Sequence, residues 1–566
     1  MFFKLGLVCV LALGIGSGCG SNDATPGNAA EGNDAGLPAN GASTVDGGAT
    51  PQEEAKCLVD VAPEANVVVT LRGAVRGKVS AGGGSVSFKG IPYAEPPTGA
   101  RRFRAPVSHA CWSGVRDALA YGSECAQAGL TGGTTGDEDC LSLNVWVPSS
   151  SSGTLPVLYF IHGGAEIVGG SNQQLGTGNL YDGQALAERQ HVIVVTTNYR
   201  LGALGFLAHP ALDAENASGR RSGNYGLLDL LSSLRWVKKN IASFGGDPER
   251  VMIFGESAGA LNTCVLVASP QAAGLFSSAL MESGGCAAPS TVDREKSGNA
   301  LSTSVGCADK PDVAACLRGK PAADLVSASA GLTDLLASDL LHTWDMPYGP
   351  NVDGYVLTEA PLSAFRSGRY NHVPFAVGSN AHEMELFITP GQVNTCYDYE
   401  SMVNTRLGPL AARALSLYPC ASYPLPRMAI VELATDVAFT CQARRIARSL
   451  ATSPSASPVY RYYYTHVRDY GPMVALRAAH TAELPFVFRT WSIESYVATQ
   501  AETALSDALQ GYWARLGATG NPNGGGALPW TQYQAANDNV IVFDDTISTD
   551  ASVKTAKCDF WDSVSP

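Results

Sequence analysis

The chain has 566 residues, 45% of them hydrophobic and 16% charged, enough apolar material for a large buried core. Its formal net charge of -13, with no Lys/Arg stripe to reverse it, excludes nucleic acid and other polyanions as expected partners.

Met1 to Gly18 carry Lys4 and then an apolar run from Leu5 to Ile15 that ends in small residues. This pattern predicts an export signal over residues 1–18, too short to span a membrane. Gly16-Ser17-Gly18 ahead of Cys19 resembles a bacterial lipoprotein site, although Gly16 stands where an aliphatic residue is usual. Cys19 is therefore a candidate for lipidation, with ordinary cleavage and secretion as the alternative. No later segment has 18 uninterrupted apolar residues, so a membrane would be met only through such an anchor. Residues 19–55, rich in Gly, Ala, Asn and Asp, cannot offset their chain entropy by burial and read as a flexible tether. Residues 56–566 are expected to form a single domain.

Within that span Val67 to Leu71 and Ser85 to Phe88 alternate like edge strands, and the prolines from Gly90 to Pro97 set a stiff turn region. Pro156 to Ile161, Val192 to Thr197 and Val373 to Val377 are continuous apolar runs, as buried parallel strands require. Val459 to Val467 is also strand-like. Leu227, Leu230, Leu231, Leu234 and Val237 recur at helical spacing between Gly226 and Ile241, and Leu505 to Leu516 is helical too. Strands alternating with helices in this way predict an α/β fold built on a largely parallel sheet.

One stretch carries chemistry. Val251 to Phe254 runs as a strand into Gly255-Glu256-Ser257-Ala258-Gly259 and then into a helical continuation from Leu261 to Ala268. A lone G-x-S-x-G arises easily among 61 glycines, but between a strand and a helix it describes a nucleophile elbow with Ser257 at the apex. A serine hydroxyl needs a histidine to take its proton and an acid to orient that histidine, in the chain order serine, acid, histidine. His466 and His480 lie far enough downstream. His466 sits in an aromatic strand, whereas His480 follows a strand and a Gly-Pro break, so His480 is the expected base. Glu383, on the loop beyond Val373 to Val377, is the expected acid, with Glu385 and Asp353 as rivals. His162-Gly163-Gly164-Ala165 follows a core strand and supplies an oxyanion site from the amides of Gly164 and Ala165, joined by that of Ala258. The sequence holds no C-x-x-C, H-E-x-x-H, EF-hand, P-loop or strand-linked G-x-G-x-x-G spacing, so neither metal nor cofactor is expected.

From about Val67 to Trp561 the chain resembles the type-B carboxylesterase/lipase family, which includes the cholinesterases. The resemblance rests on Phe88 to Ala94, Glu138 to Asn144, His162 to Ala165, Asn198-Tyr199-Arg200, Phe244 to Pro248, Gly255 to Gly259, Val352-Asp353-Gly354 and Tyr512-Trp513. It implies an α/β-hydrolase fold and a serine esterase in which Glu383, at the end of the Asn-x-x-Glu loop from Asn380 to Glu383, is the triad acid. His382, Met384 and Ala165 depart from the residues usual in the family.

The resemblance also bears on the cysteines. Setting aside Cys9 and Cys19 leaves twelve of the 14, an even number that suits an exported chain. Cys125 with Cys140, Cys307 with Cys316, and Cys441 with Cys558 match the family's bridges. Cys57 with Cys111, Cys264 with Cys286, and Cys396 with Cys420 are added by proximity alone. The family likewise implies structural ion pairs of Arg102 with Glu138 and Arg200 with Asp229.

In cholinesterases the loop between the first two family cysteines carries a tryptophan that binds quaternary ammonium. Here the loop from Cys125 to Cys140 is short, polar and without aromatics, which argues against a choline ester and against a lid over a wide apolar mouth. Met346 and Tyr348 match acyl-pocket positions, with core packing as the plainer account. A small, short-acyl ester is the expected substrate. The alternatives are a lipase for longer chains or a non-catalytic surface binding protein on the same fold.

Overall fold

Leu155–Ile161 is buried at every position, and a strand of that kind is stable only where both of its faces are covered. The computed structural model describes Cys57, Glu64 and residues 66–564, apart from 130–131, 151–152, 176–177, 216–219, 330–340, 342–345, 471 and 492–495. The export signal over 1–18, Cys19 and the tether over 19–55 lie outside the described residues.

The central sheet has eleven strands: β1 (Lys78–Val79), β2 (Ser85–Pro92), β3 (Ser142–Pro148), β4 (Leu155–Ile161), β5 (Ile193–Thr197), β6 (Gly246–Glu256), β7 (Ser278–Glu282), β8 (Phe375–Asn380), β9 (Val459–Tyr464), β10 (Val540–Phe543) and β11 (Ser548–Asp550). Across the sheet they stand in the order β11-β10-β9-β8-β7-β6-β4-β5-β3-β2-β1. All strands from β4 to β10 run parallel, and the outer strands pair antiparallel. This is the α/β-hydrolase arrangement.

Alternate residues of one strand face different cores. Val157, Tyr159 and Ile161 of β4 meet one cluster with helices α1 (Tyr225–Asn240), α2 (Ala258–Ala268) and α3 (Cys441–Ala451). Leu158 and Phe160 meet the other with α4 (Gln500–Thr519). The period of two in the strand thus sends successive side chains to opposite faces of one sheet.

Two expectations shift in detail. Val67–Val69 belongs to a separate three-stranded sheet. Ser85 to Phe88 is one strand in from the edge and continues to Pro92, through a register shift between Phe88 and Ile91. The left-handed Gly90, φ 70°, lets the chain rejoin the ladder there, so pairing extends into the segment expected to turn.

The structure joins Cys57–Cys111, Cys125–Cys140, Cys264–Cys286, Cys307–Cys316, Cys396–Cys420 and Cys441–Cys558, with Cα atoms 4.9–5.9 Å apart. The last ties α3 to α5 (Thr555–Val564). Arg444 reinforces that junction with bonds to Asp538 and Asp559, both at 2.7 Å, and to Asp562 at 3.0 Å. Arg102 pairs with Glu138, and the buried Arg200 forks onto Asp229 with two bonds of 2.7 Å. Among the described residues no helix is long and apolar enough to cross a membrane.

Candidate active site

β6 ends at Glu256, Ser257 stands at φ 59° and ψ -120°, and α2 begins at Ala258. A non-glycine residue in that conformation costs about 1–3 kcal/mol and persists only where its surroundings impose it. They do so by contact: a Cβ on Gly259 would lie 2.0 Å from the Ile161 carbonyl oxygen, so only glycine lets the elbow close against β4. The Ser257 amide donates to the Glu282 carbonyl at 2.9 Å, anchoring the apex to β7.

The loop after β4 presses on the same point. A Cβ on Gly163 would sit 2.9 Å from the Ser257 Cβ. Gly164, Ala165 and Glu166 follow with φ of 111°, 56° and 62°, three successive residues at positive φ. Among the described residues the amides of Gly164, Ala165 and Ala258 donate to no protein acceptor. Backbone donors left open next to a serine are the kind of group that can hold a developing oxyanion.

Glu383 and His480 come from loops that are laced together. The His382 amide donates to Ala478 O at 2.9 Å, the His480 amide to Glu383 O at 3.3 Å, and Asn380 Nδ2 to Ala479 O at 2.8 Å. The result sets His480 Nδ1 2.6 Å from Glu383 Oε2, while Glu383 Oε1 accepts the Asn380 amide at 2.7 Å. Phe387 and Phe439 flank the imidazole, with centroids 5.4 and 5.0 Å away. Phe439 lies in the π-helical turn Asp436–Thr440, a distortion often found at functional sites. No hydrogen bond joins His480 to Ser257 Oγ among the described residues; Nε2 instead lies 3.1 Å from Glu256 Oε1, at an angle that makes no hydrogen bond.

The rivals are occupied elsewhere. Glu385 is held by Arg427 and by Arg477, whose Nε is 2.9 Å away. Asp353 accepts the amides of Tyr355 and Leu357 and shapes a turn. His466 bonds Glu502 at 3.1 Å.

Four further glutamates outside the expected triad are buried as well. Burial pushes Glu256 up to about 8, Glu483 up to about 7 and Glu282 well above the carboxylate range. Glu282 accepts Trp513 Nε1 at 2.7 Å, and Glu483 accepts Asn380 Nδ2. Burial lowers His480, but Glu256, followed by Glu383, outweighs it and raises the histidine to about 9. Glu166, directly after the oxyanion loop, is fully buried and raised to about 8 by that burial, with Oε1 unpartnered and Oε2 3.3 Å from Asn262 Nδ2. Glu256 lies inside the motif and Glu483 three residues from His480, a proximity that was the only signal in the sequence.

Tyr348 is buried and Met346 half-buried. Their segment runs beside the oxyanion loop, since a Cβ on Gly349 would meet Glu166 Cγ at 3.6 Å. The loop from Cys125 to Cys140 is stapled to the end of the glycine turn: Gln127 Nε2 donates to Gly169 O at 2.8 Å, and the Gly169 amide donates back to Gln127 Oε1 at 2.7 Å.

The model of the carboxylesterase family matches residues 64–561. Fumonisin B1 esterase of Sphingopyxis macrogoltabida is 34% identical over 463 residues, covering 79% of this chain and 81% of that protein. Para-nitrobenzyl esterase of Bacillus subtilis (strain 168) is 35% identical over 512 residues, 87% of this chain and 97% of the relative. Human (Homo sapiens) cocaine esterase is 31% identical over 529 residues, 86% and 88% of the two chains. A solved structure of a PNB esterase superposes with a TM-score of 0.75 at 33% identity, covering 88% of this chain and 100% of that one. With an elbow serine, an apposed glycine turn and a match across nearly the whole described chain, the protein belongs to the carboxylesterase family and is a carboxylic-ester hydrolase.

Proposed function

We propose that the chain cleaves small, short-acyl carboxylic esters through an acyl-enzyme, with Ser257 as nucleophile, His480 as base and Glu383 as the acid that orients it. The observation that carries this reading is the 2.6 Å bond from His480 Nδ1 to Glu383 Oε2 beside a strained Ser257. Glu383 holds the proton on Nδ1, which leaves Nε2 free to take the proton from Ser257 Oγ as that oxygen attacks the ester carbonyl. Catalytic hydrogen bonds often tighten only in the substrate complex, and Nε2 swings from Glu256 to the hydroxyl at that stage. The amides of Gly164, Ala165 and Ala258 receive the oxyanion. His480 then protonates the departing alcohol, and water repeats the sequence to release the acid.

The short-acyl preference is supported by the stapled, aromatic-free loop from Cys125 to Cys140, which cannot swing as a lid, and by the bulk of Tyr348 beside the oxyanion turn. The paired cysteines favour an exported protein, carried by the signal over 1–18, tethered by 19–55 and anchored, if at all, through Cys19, with 56–566 acting as a single domain. Hydrolysis of nitrophenyl acetate and butyrate by the wild type and by Ser257→Ala tests the mechanism: a loss on the order of 10⁴-fold or more is expected, and equal rates would remove it.

A further inference from the structure

At the carboxyl ends of β9 and β10 the sheet brings together three side chains that ester hydrolysis does not use. His466 stands two residues beyond β9, and Asp544 and Asp545 follow directly on β10. His466 Nδ1 lies 3.1 Å from Asp545 Oδ1 and 3.8 Å from Asp544 Oδ1, and one ligand atom from each of the three lies within 4.8 Å of the others. Donors bound at ~2.1 Å to a common ion stand roughly 3.0–3.5 Å apart, so the 3.1 Å spacing already fits and the 3.8 Å one would have to shorten.

The histidine is oriented from behind. Its Nε2 donates to Glu502 Oε1 at 3.1 Å, and Glu502 is itself held by the Tyr496 hydroxyl and by the Thr499 amide at 2.7 Å. With that proton on Nε2, Nδ1 faces the two carboxylates, and a cation between them would join all three. A carboxylate behind a ligating histidine is the recurring support of metal sites, because it sets the tautomer and the ring plane. Thr465 Oγ1 donates to Asp544 Oδ2 at 2.6 Å, while Asp544 Oδ1 accepts the Asp545 amide at 2.8 Å and keeps a second lone pair for an ion. His466 is 4% exposed, whereas the Asp544 and Asp545 side chains are 44% and 60% exposed, so an ion has an entry path and water can fill its shell. Nearby Arg468 directs its guanidinium to Met473 Sδ at 3.0 Å and over the Tyr496 ring.

We propose that His466 Nδ1, Asp544 and Asp545 bind one divalent cation of the zinc or manganese kind, the class that accepts mixed imidazole and carboxylate donors. The ion clamps together the start of the segment leading to His480, the first turn of α4 through Glu502, and the end of β10. Its effect is on stability rather than on the reaction. No sequence spacing announces it, because the ligands arrive from separate strands.

The test is to strip the full chain with chelator, dialyse it against ZnCl₂ or MnCl₂, and measure bound metal per chain together with the melting temperature. One equivalent of metal and a rise of about 2 °C or more are expected for the wild type. Asp545→Asn and Asp544→Asn/Asp545→Asn alter exposed positions and should fold, hydrolyse nitrophenyl esters as before, and lose both the ion and the shift. Equal uptake and equal shift in wild type and double variant would place the ion elsewhere and overturn the proposal. No uptake in tenfold excess of either metal would leave an imidazolium-carboxylate contact only, and would overturn it as well.

Discussion

Nε2 of His480 lies 3.1 Å from Oε1 of Glu256, the residue immediately before Ser257. The nitrogen that would accept the serine proton therefore faces a buried carboxyl. An anionic Glu256 favours the imidazolium and helps raise His480 to about 9. In the proposed mechanism only neutral His480 acts as a base, so activity should climb as pH rises through the histidine's pKa. Glu256→Gln removes the charge and should move the acid limb of the kcat/KM profile to lower pH. A limb that stays in place would release Glu256 from control of the base.

Replacement of the proposed base and acid should separate them from their neighbours. His480→Ala should cost nearly as much as Ser257→Ala, and Glu383→Gln on the order of 10⁴-fold in kcat, because residues acting as a unit fail together. His466→Ala and Glu385→Gln should lower melting temperature more than kcat. A large kcat loss from His466→Ala with a mild one from His480→Ala would reverse the assignment.

Glu166 should make stability depend on pH. Burial raises its carboxyl from 4.5 to about 8, so the folded state favours the neutral acid. Its contribution is full below about pH 4.5 and is lost as pH rises toward 8, at ~1.4 kcal/mol per pH unit as an upper bound. Denaturant melts at pH 5 and pH 8 should show a smaller fall for Glu166→Gln than for the wild type. Parallel falls in both would show that Glu166 is not the group responsible.

Tyr348 should limit acyl length. Wild-type rates on nitrophenyl esters should fall from butyryl to decanoyl, and Tyr348→Ala should improve the longer esters by about tenfold or more relative to acetyl, the scale of a methylene-sized change in an apolar pocket. Rates that climb steadily to decanoyl in the wild type would remove the short-acyl preference.

The Cys441–Cys558 bridge closes a separation of 117 residues, nominally worth ~4.7 kcal/mol in the loop-closure model, although measured values are often smaller. Cys558→Ser should lower the melting temperature. It should also trim kcat modestly, because Cys441 directly follows the π-helical turn that sets Phe439 against His480. An unchanged melting temperature would mean that the ion pairs of Arg444 and Arg445 and the Trp561–Tyr418 bond suffice to hold α5 in place.

Some of this molecule was readable without coordinates because local geometry leaves a local trace. The buried parallel strands show as unbroken apolar runs, α1 shows as leucines at helical spacing, and the elbow shows as glycines where a Cβ would strike β4. Short pieces such as Ser278–Glu282 and Val540–Phe543 carry too little pattern to stand out, and they owe their conformation to flanking strands. The family and the fold were legible in the chain alone, and Ser257 stood out there as the candidate nucleophile. Which residues meet is set by tertiary packing. It laces the loop of Glu383 to that of His480, gives Glu385 to two arginines and His466 to Glu502, and sets Glu256 and Glu483 near His480. The physical reason is register: neighbouring parallel strands bring their carboxyl ends side by side whatever the length of chain between them, and no spacing along the sequence records that distance.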